Sequence, residues 1–152
     1  MAEINTFIER ASQLPLNDAA YYLWRSRQEI DRDEKIPPPP AYDLLIPIVD
    51  GSFRRAVDVS RLVEFDYDNA HRGPTFDRLK RAHPGTDDHE LQWAIKLAVN
   101  FYRDCMRHFS YSADNDISDD VNKAMDLARK ENPDFLDSTY DQARSLLRFM
   151  MR

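Results

Sequence analysis

RAHPGTDDHELQWAIKLAVNFYR, residues 81–103, joins a break in the chain to the start of a helix and so reveals the architecture. Pro84 and Gly85 break whatever element precedes them, because proline lacks the donor and fixed geometry a helix interior needs. The run Asp87-Asp88-His89-Glu90 then has the composition of a helix start, with carboxylates beside free backbone N–H groups. Asp87 followed three residues later by Glu90 fits a capping box. Beyond it the pattern is helical to Arg103 and on through Cys105 and His108.

A weaker echo closes the chain: KENPDFLDSTYDQARSLLRFMMR, residues 130–152. Setting Pro84 on Pro133 places Asp88 on Asp137, Ala94 on Ala143, Leu97 on Leu146 and Arg103 on Arg152. Upstream, Phe76 falls on Met125 and Leu79 on Ala128, so the apolar face continues through the preceding helix of each unit. The order in both is a short helix, a proline turn, an acidic cap and a longer helix. This reads as two related αα-hairpins, residues 74–110 and 118–152. Neither pair can cover its own apolar face, so the two should pack on each other and on whatever precedes them.

Working outward, Ile4, Phe7, Ile8, Ala11 and Leu14 recur at helical spacing until Pro15 stops them. Asn17 is the expected cap of a second helix running to about residue 34, with Ala20, Leu23 and Trp24 inward. Together these make an N-terminal hairpin over 2–35. The PPPP run within the connector 36–41 must be extended and serves as a spacer. Short helices are expected over 42–49 and 53–64. In 63–74, Val63, Phe65 and Tyr67 alternate with Glu64, Asp66 and Asp68, an extended pattern too solitary to imply a sheet. Pro74 suits the first turn of a helix over 74–82. The expectation is an all-α single domain of about six or seven helices.

Composition agrees. The chain has 152 residues, 42% hydrophobic and 32% charged, with 3 glycines against 9 prolines, which suits a globular helical protein with short connections. The longest apolar runs, such as LLIPIV at 44–49, fall far short of the roughly 20 residues a membrane span requires. The N-terminal segment has neither a basic flank nor an apolar stretch of leader type, so a cytoplasmic location is expected. Cys105 is the lone cysteine and reads as a small buried hydrophobe.

Charge is distributed with a polarity. Asp87, Asp88 and Glu90 open one helix, Asp119 and Asp120 the next, Asp137 and Asp141 the last; Arg103 and Arg107, Arg129 and Lys130, and Arg148 and Arg152 close them. This complements the helix dipole and explains most of the charges without a ligand. Arg144, Arg148 and Arg152 share one face as a cationic stripe.

Candidate chemistry is sparse. Hydrolytic metal sites mix histidine and carboxylate ligands, and Asp66, Asp68, His71, Asp87 and His89 supply both, but no HxH or HExxH spacing occurs. DNDISDDVNKAM at 114–125 starts like a calcium loop, yet Asp119 stands where glycine belongs and Met125 where the bidentate glutamate belongs; Ser118 as a helix cap accounts for it better. No catalytic residues and no cofactor are assigned. FDRLKR at 76–81 and FRR at 53–55 are the compact basic clusters, and a net charge of −6 weighs against nucleic-acid binding. The function expected is protein–protein interaction through an acidic surface, of inhibitor, antidote or regulatory-subunit type, with a basic protein as partner. Glu64, Phe65, Asp66, Tyr67 and Asp68 are the expected contact residues, the aromatics as anchors and the acids as steering charges. A metal-assisted hydrolase is the alternative, a nucleic-acid-binding helical protein the next, and a second copy of the chain is a further candidate partner if Trp93 or Phe149 is exposed.

Overall fold

The structure, a computed structural model, describes residues 2–34, 73–111 and 116–151. Among them are seven helices: α1 Ala2–Ser12, α2 Leu16–Arg25, α3 Arg27–Glu34, α4 Pro74–Ala82, α5 Asp88–His108, α6 Ile117–Glu131 and α7 Asp137–Met150. The protein is all-α, as its periodicity implies. The proline run, the helices expected at 42–49 and 53–64, and the extended segment around Phe65 lie outside the described residues.

The two proline turns are built alike. Helix α4 ends at Ala82 and α6 at Glu131, α5 begins at Asp88 and α7 at Asp137, the same shift that sets Pro84 on Pro133. The residues closing the first helix of each unit, His83 and Asn132, have nearly the same backbone angles, φ −130° and ψ 66° against φ −132° and ψ 73°. Each donates its N–H to the corresponding carbonyl, Leu79 or Ala128, at 2.9 Å. An ion pair spans the turn in each case: Lys80 to Asp88 at 2.8 Å and Arg129 to Asp137 at 2.5 Å. The aligned apolar pairs Phe76 and Met125, Leu79 and Ala128, and Ala94 and Ala143 are all buried. The turns correspond in backbone angles, hydrogen bonding and burial, but the expected order of a short helix followed by a longer one holds in the first unit alone: α4 has 9 residues before the 21 of α5, whereas α6 has 15 before the 14 of α7.

Helix α5, the longest, is the central element, touching α2, α4, α6 and α7. Its apolar face, with Leu91, Ile95, Ala98, Val99 and Phe101, is fully buried. Phe101 sits in an aromatic cluster that gathers distant parts of the chain: its ring centroid is 5.3 Å from Tyr21, 5.1 Å from Phe135 and 5.4 Å from Tyr140. Trp24 of α2 packs edge-on against Tyr102 at 5.0 Å. Aromatic contacts of this offset or edge-to-face kind add to plain area burial. Cys105 is buried as expected, its Sγ 3.6 Å from Met125 Sδ, and burial pushes its thiol up to about 12.

Four local expectations are corrected. The second helix begins at Leu16 with Pro15 preceding it and no side-chain cap; Asn17 instead donates its Nδ2 to the Asp134 carbonyl, 3.3 Å away. It does not run unbroken to residue 34, because Ser26 adopts φ −87° and ψ 4° and separates α2 from α3. The Arg27 guanidinium donates to the Trp24 carbonyl at 2.8 Å and lies 4.0 Å over the Trp24 ring, satisfying a carbonyl at the end of α2. Asp116, not Ser118, caps α6 by accepting from Asp119 N–H at 3.0 Å; Ser118 lies inside the helix. Asp87 takes the extended backbone of an N-cap, but no side-chain cap bond forms there, so the capping box with Glu90 is not realised.

FDRLKR does not form a basic patch. Arg78 is buried, with Nη2 2.6 Å from Asp31 and 2.8 Å from Glu34 of α3, and Lys80 is held by Asp88. Arg81 alone of these cations is both exposed and outside the ion pairs among the described residues. The cluster ties α4 to α3.

Candidate functional site

The connection between α1 and α2 is where the two proline turns meet the rest of the molecule. At the end of α1 the Ala11 carbonyl lies 3.0 Å from His83 Nε2, which therefore carries the donated hydrogen. At the start of α2, Asn17 reaches Asp134, and Asp18 accepts from Leu136 N–H at 2.8 Å and from Thr139 Oγ1 at 2.5 Å. Asp18 is buried, so its charge is offset by these donors and by the N-terminus of α7. In a capping box the residue at the third helical position reaches back to the N-cap amide. Here that position is Thr139, too short for the task, and a carboxylate from another helix replaces it.

This arrangement sets two acidic turns against one corner. Asp87, Asp88 and Glu90 at the start of α5, and Asp134 and Asp137 at the start of α7, are all exposed. Asp88 and Asp137 are neutralised by Lys80 and Arg129. No ion pair among the described residues involves Asp87, Glu90 or Asp134. Arg81 and Lys130 lie near the ends of α4 and α6, so the corner is striped with both signs rather than uniformly acidic.

A second polar network joins the C-terminal ends of α5 and α6. Arg107 bridges Asp104 at 3.0 Å and Glu131 at 2.7 Å, His108 Nε2 meets Glu131 at 2.7 Å, and Asn132 donates to Asp104 at 2.9 Å. Tyr140 donates its hydroxyl to the Asn132 carbonyl. Burial works to raise the Asp104 pKa, but hydrogen bonds from Asn132 and Arg107 and the charges of Arg107 and His108 outweigh it, holding the carboxyl below its ordinary range. His108 thus has Glu131 as its partner in addition to the end of its own helix.

Of the residues proposed from sequence, Glu64, Phe65, Asp66, Tyr67 and Asp68 lie outside the described residues, as does His71. Asp87 and His89 are exposed at the start of α5. Among the described residues no group of three or more histidine, cysteine, aspartate or glutamate side chains is placed to hold a metal ion. Arg144 of the cationic stripe pairs with Asp141 at 2.9 Å. Trp93 and Phe149 are exposed, at 57% and 69%. Sequence reasoning missed Asp18; the available signal was a single acid inside LNDAAYYLW, an otherwise inward-facing run.

No protein-family model, characterised protein sequence or solved structure matches the chain.

Proposed function

We propose that this chain is a protein–protein interaction module whose acidic groups meet a more basic partner, in the manner of an inhibitor, antidote or regulatory subunit acting in the cytoplasm. The observation that carries the reading is the trio Asp87, Glu90 and Asp134: exposed carboxylates outside every ion pair among the described residues, held on turns that hydrogen bonds fix to the α1–α2 connection. The net charge of −6 extends the same bias to long range, where complementary charge raises the rate of encounter. No described helix is long and apolar enough to cross a membrane. The segment Glu64, Phe65, Asp66, Tyr67 and Asp68 forms the second part of the proposed surface, with two aromatic anchors among steering acids.

Affinity capture with the full chain tests this, using two charge-reversal variants. One is Asp87→Lys, Glu90→Lys, Asp134→Lys; the other is Glu64→Lys, Asp66→Lys, Asp68→Lys. A stoichiometric basic partner should be retained by the wild type, weakened by salt, and lost from one or both variants. Equal retention by both variants would discard the reading.

A further inference from the structure

Helix α3 is attached to the fold by means unlike those of the other described helices. Of its 8 residues, RQEIDRDE, Ile30 alone is apolar, and it is fully buried. Each of the other described helices buries more than one apolar side chain. A helix of this length has little stability of its own in water, so its place depends on what it packs against. It lies on α1 and α2 and reaches α4 through a single cation. Arg78 Nη2 meets Asp31 at 2.6 Å and Glu34 at 2.8 Å, and Arg78 Nε donates to Glu34 at 3.2 Å. Asp31 and Glu34 stand three residues apart, on one side of α3, so both close on the same guanidinium.

The clasp is strong but incomplete. The Arg78 side chain is almost wholly buried, yet its Nη1 meets no hydrogen-bond partner among the described residues; on α3, Asp33 Oδ2 is shut away from solvent in the same condition. A polar atom so placed loses its hydration when the contact closes and gains nothing in exchange. Opening returns both atoms to water. The two clasping acids are partly exposed, so dissolved ions reach them and screen the attraction that holds α3 down.

The chain also has a joint at which to open. Ser26 sits at φ −87° and ψ 4°, between regular helical backbone on either side. Just before it, Tyr21, Leu23 and Trp24 are core residues; just after it, Arg27 turns its guanidinium back to the Trp24 carbonyl at 2.8 Å. Rotation about one or two backbone bonds at such a position swings a short helix without disturbing the one before it.

We propose that α3 is a strap that opens and closes as a unit about Ser26 while the other described helices stay folded, with the ion clasp on Arg78 setting the balance, so that ionic strength moves it. Closing hides a cation and the seat of Ile30; opening brings both to the surface of a protein whose net charge is −6. The strap shares no residue with the acidic corner, so the two stand or fall separately.

Amide hydrogen exchange on the full chain, followed residue by residue by NMR, reads the opening directly. Amides of Ile30 through Glu34 should share one protection factor, lower by about tenfold or more than that of Ala20 through Trp24 in α2. Raising sodium chloride from about 0.05 M to about 1 M should lower it a further several-fold relative to α2. Asp31→Asn with Glu34→Gln should lower it by about tenfold or more, abolish the response to salt and leave the amides of α7 as they were. Protection of α3 equal to that of α2 would overturn the proposal, since the helix would then open only with the whole molecule. So would protection that declines progressively from Ile30 to Glu34, the mark of fraying from one end, or indifference of the wild type to salt, which needs no variant to detect. A double variant that fails to fold would overturn it too, because release of α3 would then be inseparable from unfolding.

Discussion

Asp18 ties the start of α7 to α2. It satisfies the Leu136 amide and the Thr139 hydroxyl from a helix more than a hundred residues away in sequence. Asp18→Ala leaves the buried Thr139 hydroxyl and the part-buried Leu136 amide without their acceptor, and the expected loss of stability is about 1–3 kcal/mol, read from urea unfolding. Thr139→Val removes one donor along with its need and should cost less. Cys105 offers a chemical check. With its thiol pushed up to about 12 by burial, it should resist a disulfide reagent in the native protein at neutral pH and react once unfolded. The same shift has a signed consequence for stability. Below an ordinary thiol value of 9.0 the group is protonated in both states and contributes fully; between 9.0 and about 12 the unfolded chain releases the proton while the native chain retains it. Tyr21, Tyr102 and Tyr140 are raised by burial as well, starting from 10.0. Stability should therefore fall steadily as pH rises above about 9, measured as a declining urea midpoint. Asp104, lowered, acts in the opposite sense: its contribution is present at neutral pH and is lost as the solution is acidified through the carboxylate range.

At the scale of helices, Arg78 is the informative contact because its burial is asymmetric: the guanidinium is 2% exposed while Asp31 and Glu34 are 27% and 30% exposed. Converting both acids, Asp31→Asn with Glu34→Gln, leaves a buried cation without counter-charge, whereas Arg78→Met removes the cation and leaves two carboxylates that water can reach. The double carboxylate variant should be the less stable of the two by roughly 1–3 kcal/mol in thermal or urea unfolding. The repeated surface pairs, Lys80 with Asp88 and Arg129 with Asp137, should give coupling energies below about 1 kcal/mol in double-mutant cycles, despite their good geometry. This contrast also explains what the sequence discloses and what it hides. The apolar spacing of Leu23 and Trp24, the break at Pro84, and the correspondence of Asp88 with Asp137 are local signals, and the elements they imply are present. Ser26 gives little local warning of the break between α2 and α3. Asp18 capping α7 and Arg78 reaching α3 are pairings across long stretches of chain, which periodicity does not encode.

Over the whole molecule, the described helices separate two kinds of surface, carboxylates at the α1–α2 corner and aromatic and methionine side chains at the ends of α5 and α7. A metal-dependent hydrolysis would need Asp66, Asp68 and His71 to join Asp87 and His89. Melting the protein with zinc, manganese or calcium, and again with a chelator, should leave the midpoint unchanged; a rise with one ion would revive that constellation, because an ion that binds the native state alone stabilises it by mass action. Trp24 is fully buried and Trp93 is 57% exposed, so an aqueous quencher should remove only part of the native emission. The Asp18 bond sets a schedule for synthesis. Its partners lie 118 and 121 residues further along, so at ribosomal speeds roughly 6–25 s pass between translation of the acceptor and of its donors. Throughout that interval the carboxylate remains hydrated, and the amino-terminal helices wait with one of their principal anchoring points still unmade.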